Sequence, residues 1–199
     1  MTFFEKIKTI LATPSLFWES ISSETGYRSA FRYHATLTLI TALITSVLNS
    51  YLLSTGYVDP MLTKELAELS ANLGIEGVFV ILLAVFGLSL FSLLFTVLAA
   101  HWGHFFLERL GGVGKREETY RAWAYASTPA VLGSVISFIP LAGNIASIWS
   151  IYLRYQALQK FHKMSIWKVL GADLLAILVA LVVFIVLIFA IIGPLFWKG

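Results

Sequence analysis

Residues 120–129 read Tyr120-Arg121-Ala122-Trp123-Ala124-Tyr125-Ala126-Ser127-Thr128-Pro129, and the chain then rises through apolar residues to Ile139-Pro140-Leu141-Ala142-Gly143. A second apolar run, from Asn144 to Leu158, falls back to Gln159-Lys160-Phe161-His162-Lys163. Each run is about 17 to 20 residues, which at about 1.5 Å per residue crosses the roughly 30 Å hydrocarbon core of a bilayer. The link, Pro140 to Gly143, carries no charge, and basic residues stand at the two outer ends. This is the pattern of a transmembrane helical hairpin that enters and leaves on one side.

Composition extends that reading to the whole chain. At 58% hydrophobic and 13% charged residues, the sequence has too little polar surface for a soluble fold. Its length fits a single domain, residues 1–199. There is no cysteine, which excludes disulfides and thiolate metal sites. The net charge of +3 says less than where the charges fall.

Upstream of the hairpin, residues 1–28 form an amphipathic cytoplasmic segment rather than a signal peptide, because Lys6 and Lys8 interrupt any apolar core. Phe3, Phe4, Ile7, Ile10 and Leu11 recur at helical spacing, opposite Glu5, Lys6 and Lys8. Thr13-Pro14 then opens a second short helix carrying Leu16, Phe17, Trp18 and Ile21. Two placements fit such helices: in the headgroup layer, or packed on the cytoplasmic ends of their own bundle.

The spanning helices are expected over about 29–53, 77–107, 120–139, 144–161 and 166–193. In the first, Thr38, Thr41, Thr45 and Asn49 share a face, as a packing seam or, alternatively, a solute path. The second is longer than one crossing needs. In the third, Ala122, Ala126, Ala130, Gly133 and Ser137 form a small-residue face, and Pro129 kinks the helix while Ser127 and Thr128 satisfy a freed carbonyl. Trp167 and Lys168 anchor one end of the last helix, and Trp197 and Lys198 the other. Between the first two spans, residues 54–76 make an acidic loop with a short surface helix through Leu62, Leu66, Leu69 and Leu73.

Few residues offer chemistry. His101, His104 and Glu108 fall on one helical face, a candidate metal site without the His-Glu-x-x-His order of hydrolytic zinc. Gly114-Lys115 resembles the end of a phosphate-binding loop, but Arg109 and Arg116 stand where that motif needs Gly and Ser or Thr. Glu117-Glu118-Thr119-Tyr120-Arg121 resembles the glutamate pair and arginine of CAAX-type intramembrane proteases, with the arginine one residue early and no downstream histidine motifs. The loop from Glu108 to Thr119 therefore reads as a solvated basic loop near anionic lipid. Arg154 and Asp173 lie equally far from the turn between Lys163 and Met164. In an antiparallel hairpin they share one depth, so either they pair, or Arg154 snorkels to the headgroups and Asp173 meets cytoplasmic water.

Five crossings place Lys6, Lys8, Arg28, Arg32, Arg109, Lys115, Arg116, Arg121, Arg154, Lys160, Lys163 and Lys168 on one side, against Lys64 and Lys198 on the other. The positive-inside rule then predicts a cytoplasmic N-terminus and an outside C-terminus, in the plasma membrane.

The stretch 120–129 with Ile139-Pro140-Leu141-Ala142-Gly143, the segment Tyr152-Leu153-Arg154-Tyr155-Gln156-Ala157-Leu158 running into His162-Lys163-Met164-Ser165, and the opening Thr13-Pro14-Ser15-Leu16-Phe17-Trp18 together resemble the Yip family of Ypt-interacting membrane proteins. The resemblance implies an all-α, five-helix membrane domain with a cytosolic N-terminus. In eukaryotic relatives it implies recruitment of Rab-type GTPases. This chain lacks their long N-terminal region and Asp-Leu-Tyr-Gly-Pro-like motif, and is similar to the short prokaryotic members.

The expected function is a non-catalytic membrane protein that recruits or organises partners or shapes the bilayer, with no enzyme activity and no cofactor. The alternative is a small transporter or channel with a polar path through Thr38, Thr41, Asn49, Asn144, Arg154 and Asp173. The expected partners are the lipid bilayer and a cytoplasmic or membrane protein, not nucleic acid.

Overall fold

The computed structural model describes residues 1–54, 64, 68, 77–139 and 141–196. The helix expected through Leu62 to Leu73 and the Trp197–Lys198 anchor lie outside the described residues. Those residues hold eight helices and no strand: α1 (Phe3–Ala12), α2 (Pro14–Ser20), α3 (Arg28–Ser54), α4 (Gly77–Arg109), α5 (Arg116–Ala126), α6 (Thr128–Val135), α7 (Ala142–His162) and α8 (Ile166–Phe196).

The helix ends follow local chemistry. Thr2 and Glu5 form a reciprocal capping box at the start of α1. Pro14 sits in the first turn of α2, where its missing N–H costs nothing. The run expected as one helix over 120–139 is two, starting earlier, at Arg116, and ending at Val135. The break is at Ser127, and Pro129 explains it. A proline N–H would have bonded the Tyr125 carbonyl four residues back. The Thr128 hydroxyl donates to that carbonyl instead, at 2.6 Å, and Ser127 donates to the Ala124 carbonyl at 2.9 Å. Across the break, the Ala130 N–H donates to Ser150 Oγ of α7 at 2.9 Å.

Three helices, α3, α4 and α8, are long and apolar enough to cross a membrane. The α5–α6 arm and α7 form the hairpin between them. At its tightest point a Cβ on Gly133 would lie 2.5 Å from Ala146 Cβ, so only a hydrogen there lets the two backbones approach. Helix α3 packs on α4, α5 and α6, while α8 lies against α4 and α7. The threonine face of α3 is a seam: Thr38 and Thr41 are buried, and Thr41 Oγ1 donates back to the Leu37 carbonyl at 2.9 Å.

The core is displaced to one end. Ile10 of α1, Phe17 and Trp18 of α2, Tyr125 of α5 and Leu158 and Phe161 of α7 belong to one buried cluster. This basic end also gathers the starts of α3 and α8 and the end of α4. On α8 burial stops toward the opposite end: Leu174, Ile177, Leu181, Phe184 and Leu187 are all exposed. Such a belt is stable only against hydrocarbon.

Candidate functional site

The basic end is built from polar side chains that the core has desolvated. Lys6 is buried, and its Nζ donates to Glu24 Oε1 at 2.6 Å, to Tyr125 Oη at 2.8 Å and to Ser29 Oγ at 3.1 Å. Tyr125 gives its single hydroxyl proton to Glu24 Oε2 at 2.7 Å, which leaves its lone pair to accept from Lys6. Burial raises the Glu24 carboxyl, but the hydrogen bonds from Lys6 and Tyr125 outweigh it and hold the group below its ordinary range. Arg121, fully buried on α5, donates to the Ile21 and Glu24 carbonyls, and its guanidinium lies over the Phe161 ring at 5.4 Å. The chain between α2 and α3 is thus fixed by α5 through its backbone and by Lys6 through its carboxylate. Phe17 packs edge-on to Tyr125 at 5.2 Å, and Lys160 reaches Glu19 at 3.5 Å.

This arrangement corrects the expected amphipathic face of α1. Lys6 turns inward with Ile10, while Phe4 is 77% exposed. Helical spacing identified a polar arc but not the half-buried acid waiting for it. The aromatic helix α2 lies on the bundle's own end, with Phe17, Trp18 and Ile21 buried.

Beside this latch is a second polar chain. His104 Nδ1 lies 2.8 Å from Thr119 Oγ1, which lies 2.7 Å from His162 Nε2. One hydroxyl has one proton, so Thr119 donates to one ring and accepts from the other. Glu108 Oε1, 3.1 Å from His104 Nε2, favours the proton on that nitrogen. Thr119 then donates to His104 and accepts from His162 Nε2–H. Burial drives the His162 pKa down to about 4, with His104 adding to the effect. The glycine loop 111–114 closes over this ring: a Cβ on Gly114 would stand 2.8 Å from His162 Nδ1.

His101, by contrast, turns away from His104. Its ring stacks on Tyr27 at 5.8 Å, and its Nδ1 lies 2.7 Å from the Val97 carbonyl. Among the described residues, no three His, Asp or Glu side chains are grouped to hold a metal ion.

The third polar group is at the α7–α8 contact. Arg154 Nη2 donates to Asp173 Oδ2 at 2.6 Å, and the guanidinium stacks over Trp123 at 4.1 Å. The pair closes one end of an apolar cavity of about 950 Å³ between α4 and α8.

A family model described as the Yip1 domain matches residues 8–191, nearly the entire chain. The chain belongs to that family. No curated protein and no solved structure matches it. Membership makes it a multi-pass membrane protein of a generally non-enzymatic family, in contact with lipid. Within the Yip1 domain, the stretch 120–129 supplies Arg121, Tyr125 and Thr128, the residues that tie the hairpin to α2, α1 and α3. The third tie is Tyr33 Oη, 2.9 Å from Thr128 Oγ1. Since Thr128 gives its proton to the Tyr125 carbonyl, Tyr33 is the donor. Lys6, which completes the latch, precedes the matched segment.

Sequence reasoning selected Arg154, Asp173, His104 and Glu108 but missed Glu24, Thr119 and His162 as members of buried networks. Their sequence context is that of ordinary loop and helix-end residues.

Proposed function

We propose that this Yip1-domain protein crosses the plasma membrane five times, through α3, α4, the α5–α6 arm, residues 144–161 of α7, and α8. In this reading the N-terminus is cytoplasmic and the C-terminus outside, as the distribution of basic residues supports. The protein acts without catalysis, as a cytoplasmic platform that recruits or organises partners and shapes the adjoining leaflet. The observation that carries this is the Lys6–Glu24–Tyr125 latch. Charge-assisted bonds, partly shielded from water, hold the N-terminal helices on the bundle, where Phe4, Leu11 and Leu16 are left exposed.

Because the chain has no cysteine, single substitutions report topology directly. Lys115→Cys and Lys163→Cys are expected to be shielded from an impermeant maleimide in intact cells, and Gly199→Cys labelled. Labelling of Lys115→Cys with Gly199→Cys would remove the five-span reading. For the platform, a photo-crosslinker at Leu16 is expected to yield a discrete protein adduct in native membranes, absent when placed at Leu181. Solute flux through the purified protein in liposomes, without such an adduct, would replace the platform by the transport alternative.

A further inference from the structure

We propose that the glycine loop 111–114 is an acid-operated clasp: it covers the ring of His162 while that ring is neutral, and it opens when the ring takes up one proton. The inference does not depend on how many times the chain crosses the bilayer. It starts from the direction of the polar chain beneath the loop. Glu108 Oε1 faces the Nε2 proton of His104, His104 Nδ1 accepts from Thr119, and Thr119 accepts from Nε2–H of His162. Every proton in that chain is engaged, so one imidazole lone pair is left vacant, on Nδ1 of His162. That nitrogen is buried and has no hydrogen-bond partner among the described residues. The loop closes over it. A Cβ on Gly112 would stand 3.0 Å from His162 Nδ1, and one on Gly114 would stand 2.8 Å from the same atom. Only a hydrogen at each position lets the backbone lie this close. The clasp is lightly held. The Gly112 N–H returns to the Leu107 carbonyl at 2.8 Å, which anchors the loop to α4. On the other side the Val113 N–H donates to the His162 carbonyl at 3.3 Å, and the Val113 side chain is exposed.

A proton on Nδ1 would point into those two glycines with no acceptor, at a site closed to water. A buried N–H that is both charged and unpaired opposes closure. Opening the loop admits water to the ring and removes that cost. The charged and titratable groups acting on the ring are His104 and Glu108 of α4 and Glu118 of α5, while Arg116 of α5 acts on His104. The two carboxylates favour the proton, and burial together with His104 opposes it more strongly. The covered ring therefore stays neutral down to about 4, whereas an uncovered one titrates near the ordinary 6.5. Between those values the open form binds more protons than the closed one, so opening grows as pH falls. Lys115, next to the loop, and Lys163, next to the ring, are both exposed. An opened clasp thus adds an imidazolium to an edge that is already cationic.

The test is hydrogen–deuterium exchange of the full-length protein in nanodiscs, with the rates over residues 108–118 divided by the intrinsic amide rate at each pH. Between pH 7 and pH 5, wild-type protection at Val113 is expected to fall about twentyfold, while the buried threonine face of α3 keeps its protection. His162→Gln keeps a donor for Thr119 but takes up no proton, so its loop protection should change by less than about twofold over the same range. Gly114→Ala sets a methyl against the ring and should open the loop already at pH 7, leaving little for acid to add. Wild-type loop protection that does not change with pH would overturn the clasp. An equal fall in His162→Gln would overturn it too, by assigning the response to His104, Glu108 or Glu118. A loss of protection that spreads equally over α3 would show acid unfolding of the bundle in place of a local opening.

Discussion

The two ends of the bundle are held by different physics. At the basic end, Lys6, Arg121, Thr119, His104 and His162 are buried, each engaged by polar partners from a distant part of the chain. Along α8 beyond Asp173, the side chains through Phe189 are apolar and mostly exposed. In water the hydrophobic effect would fold that surface inward; in lipid it has no such drive, and helices associate through small-residue contacts and hydrogen bonds. Specific polar bonding is therefore concentrated where the chain meets water and headgroups. The opposite half is left as a lipid-facing surface with one long groove.

If the basic end is the rigid part, its central arginine should matter most. Arg121→Ala removes the donor that α5 supplies to the Ile21 and Glu24 carbonyls and leaves a cavity beneath Phe161, and is expected to cost about 3–5 kcal/mol. Thermal unfolding in detergent would show it as loss of folded protein at temperatures where wild type persists; a near-neutral result would mean that the latch is peripheral. The hairpin contact comes next. Gly133→Ala pushes a methyl into Ala146 and should destabilise by about 1–3 kcal/mol, whereas Gly87→Ala, with nothing near its Cβ, should cost nothing.

The α7–α8 pair gives a smaller effect, because both members are partly accessible. Asp173→Asn and Arg154→Gln should each lower stability, and the double change should cost about 1 kcal/mol less than their sum. Additive losses would mean that the bridge contributes no coupling. The smallest effect is that of pH. His162 is neutral in the folded state down to about 4 but takes up a proton near 6.5 when unfolded. Between those values the unfolded state binds more protons, so stability falls as pH is lowered through that window. At pH 6 the loss is less than about 1 kcal/mol, and His162→Gln should flatten the profile there. An unchanged profile would mean that another group sets the acid limit.

The helices were legible because bilayer thickness imposes a length on apolar runs that nothing else in the sequence imitates. The resemblance to the Yip family was legible in residues 120–129. The disturbance at Pro129 was legible as a kink, since Pro129 removes a named bond and Thr128 sits where the substitute must be, but the division of the run into two helices was not. The contact between Arg154 and Asp173 follows from hairpin symmetry about the turn after α7. The inward turn of Lys6 was not legible. Its arc on the helical wheel looks solvent-facing, and only the acid and phenol brought by α2–α3 and α5 reverse that.

Sequence alone thus determined the local and near-neighbour features: which segments are apolar, where a helix must break, and which charges a short turn brings together. The tertiary structure decided which polar residues are desolvated. Lys6 and Tyr125 are 119 residues apart, and His162 and Thr119 are 43 apart. No periodicity within one helix encodes such pairs, because each depends on how several helices pack against one another. The groove is the same kind of feature. Alanines on α8 and aromatics on α4 are each ordinary in a membrane helix, and they enclose a space only when the two helices lie side by side.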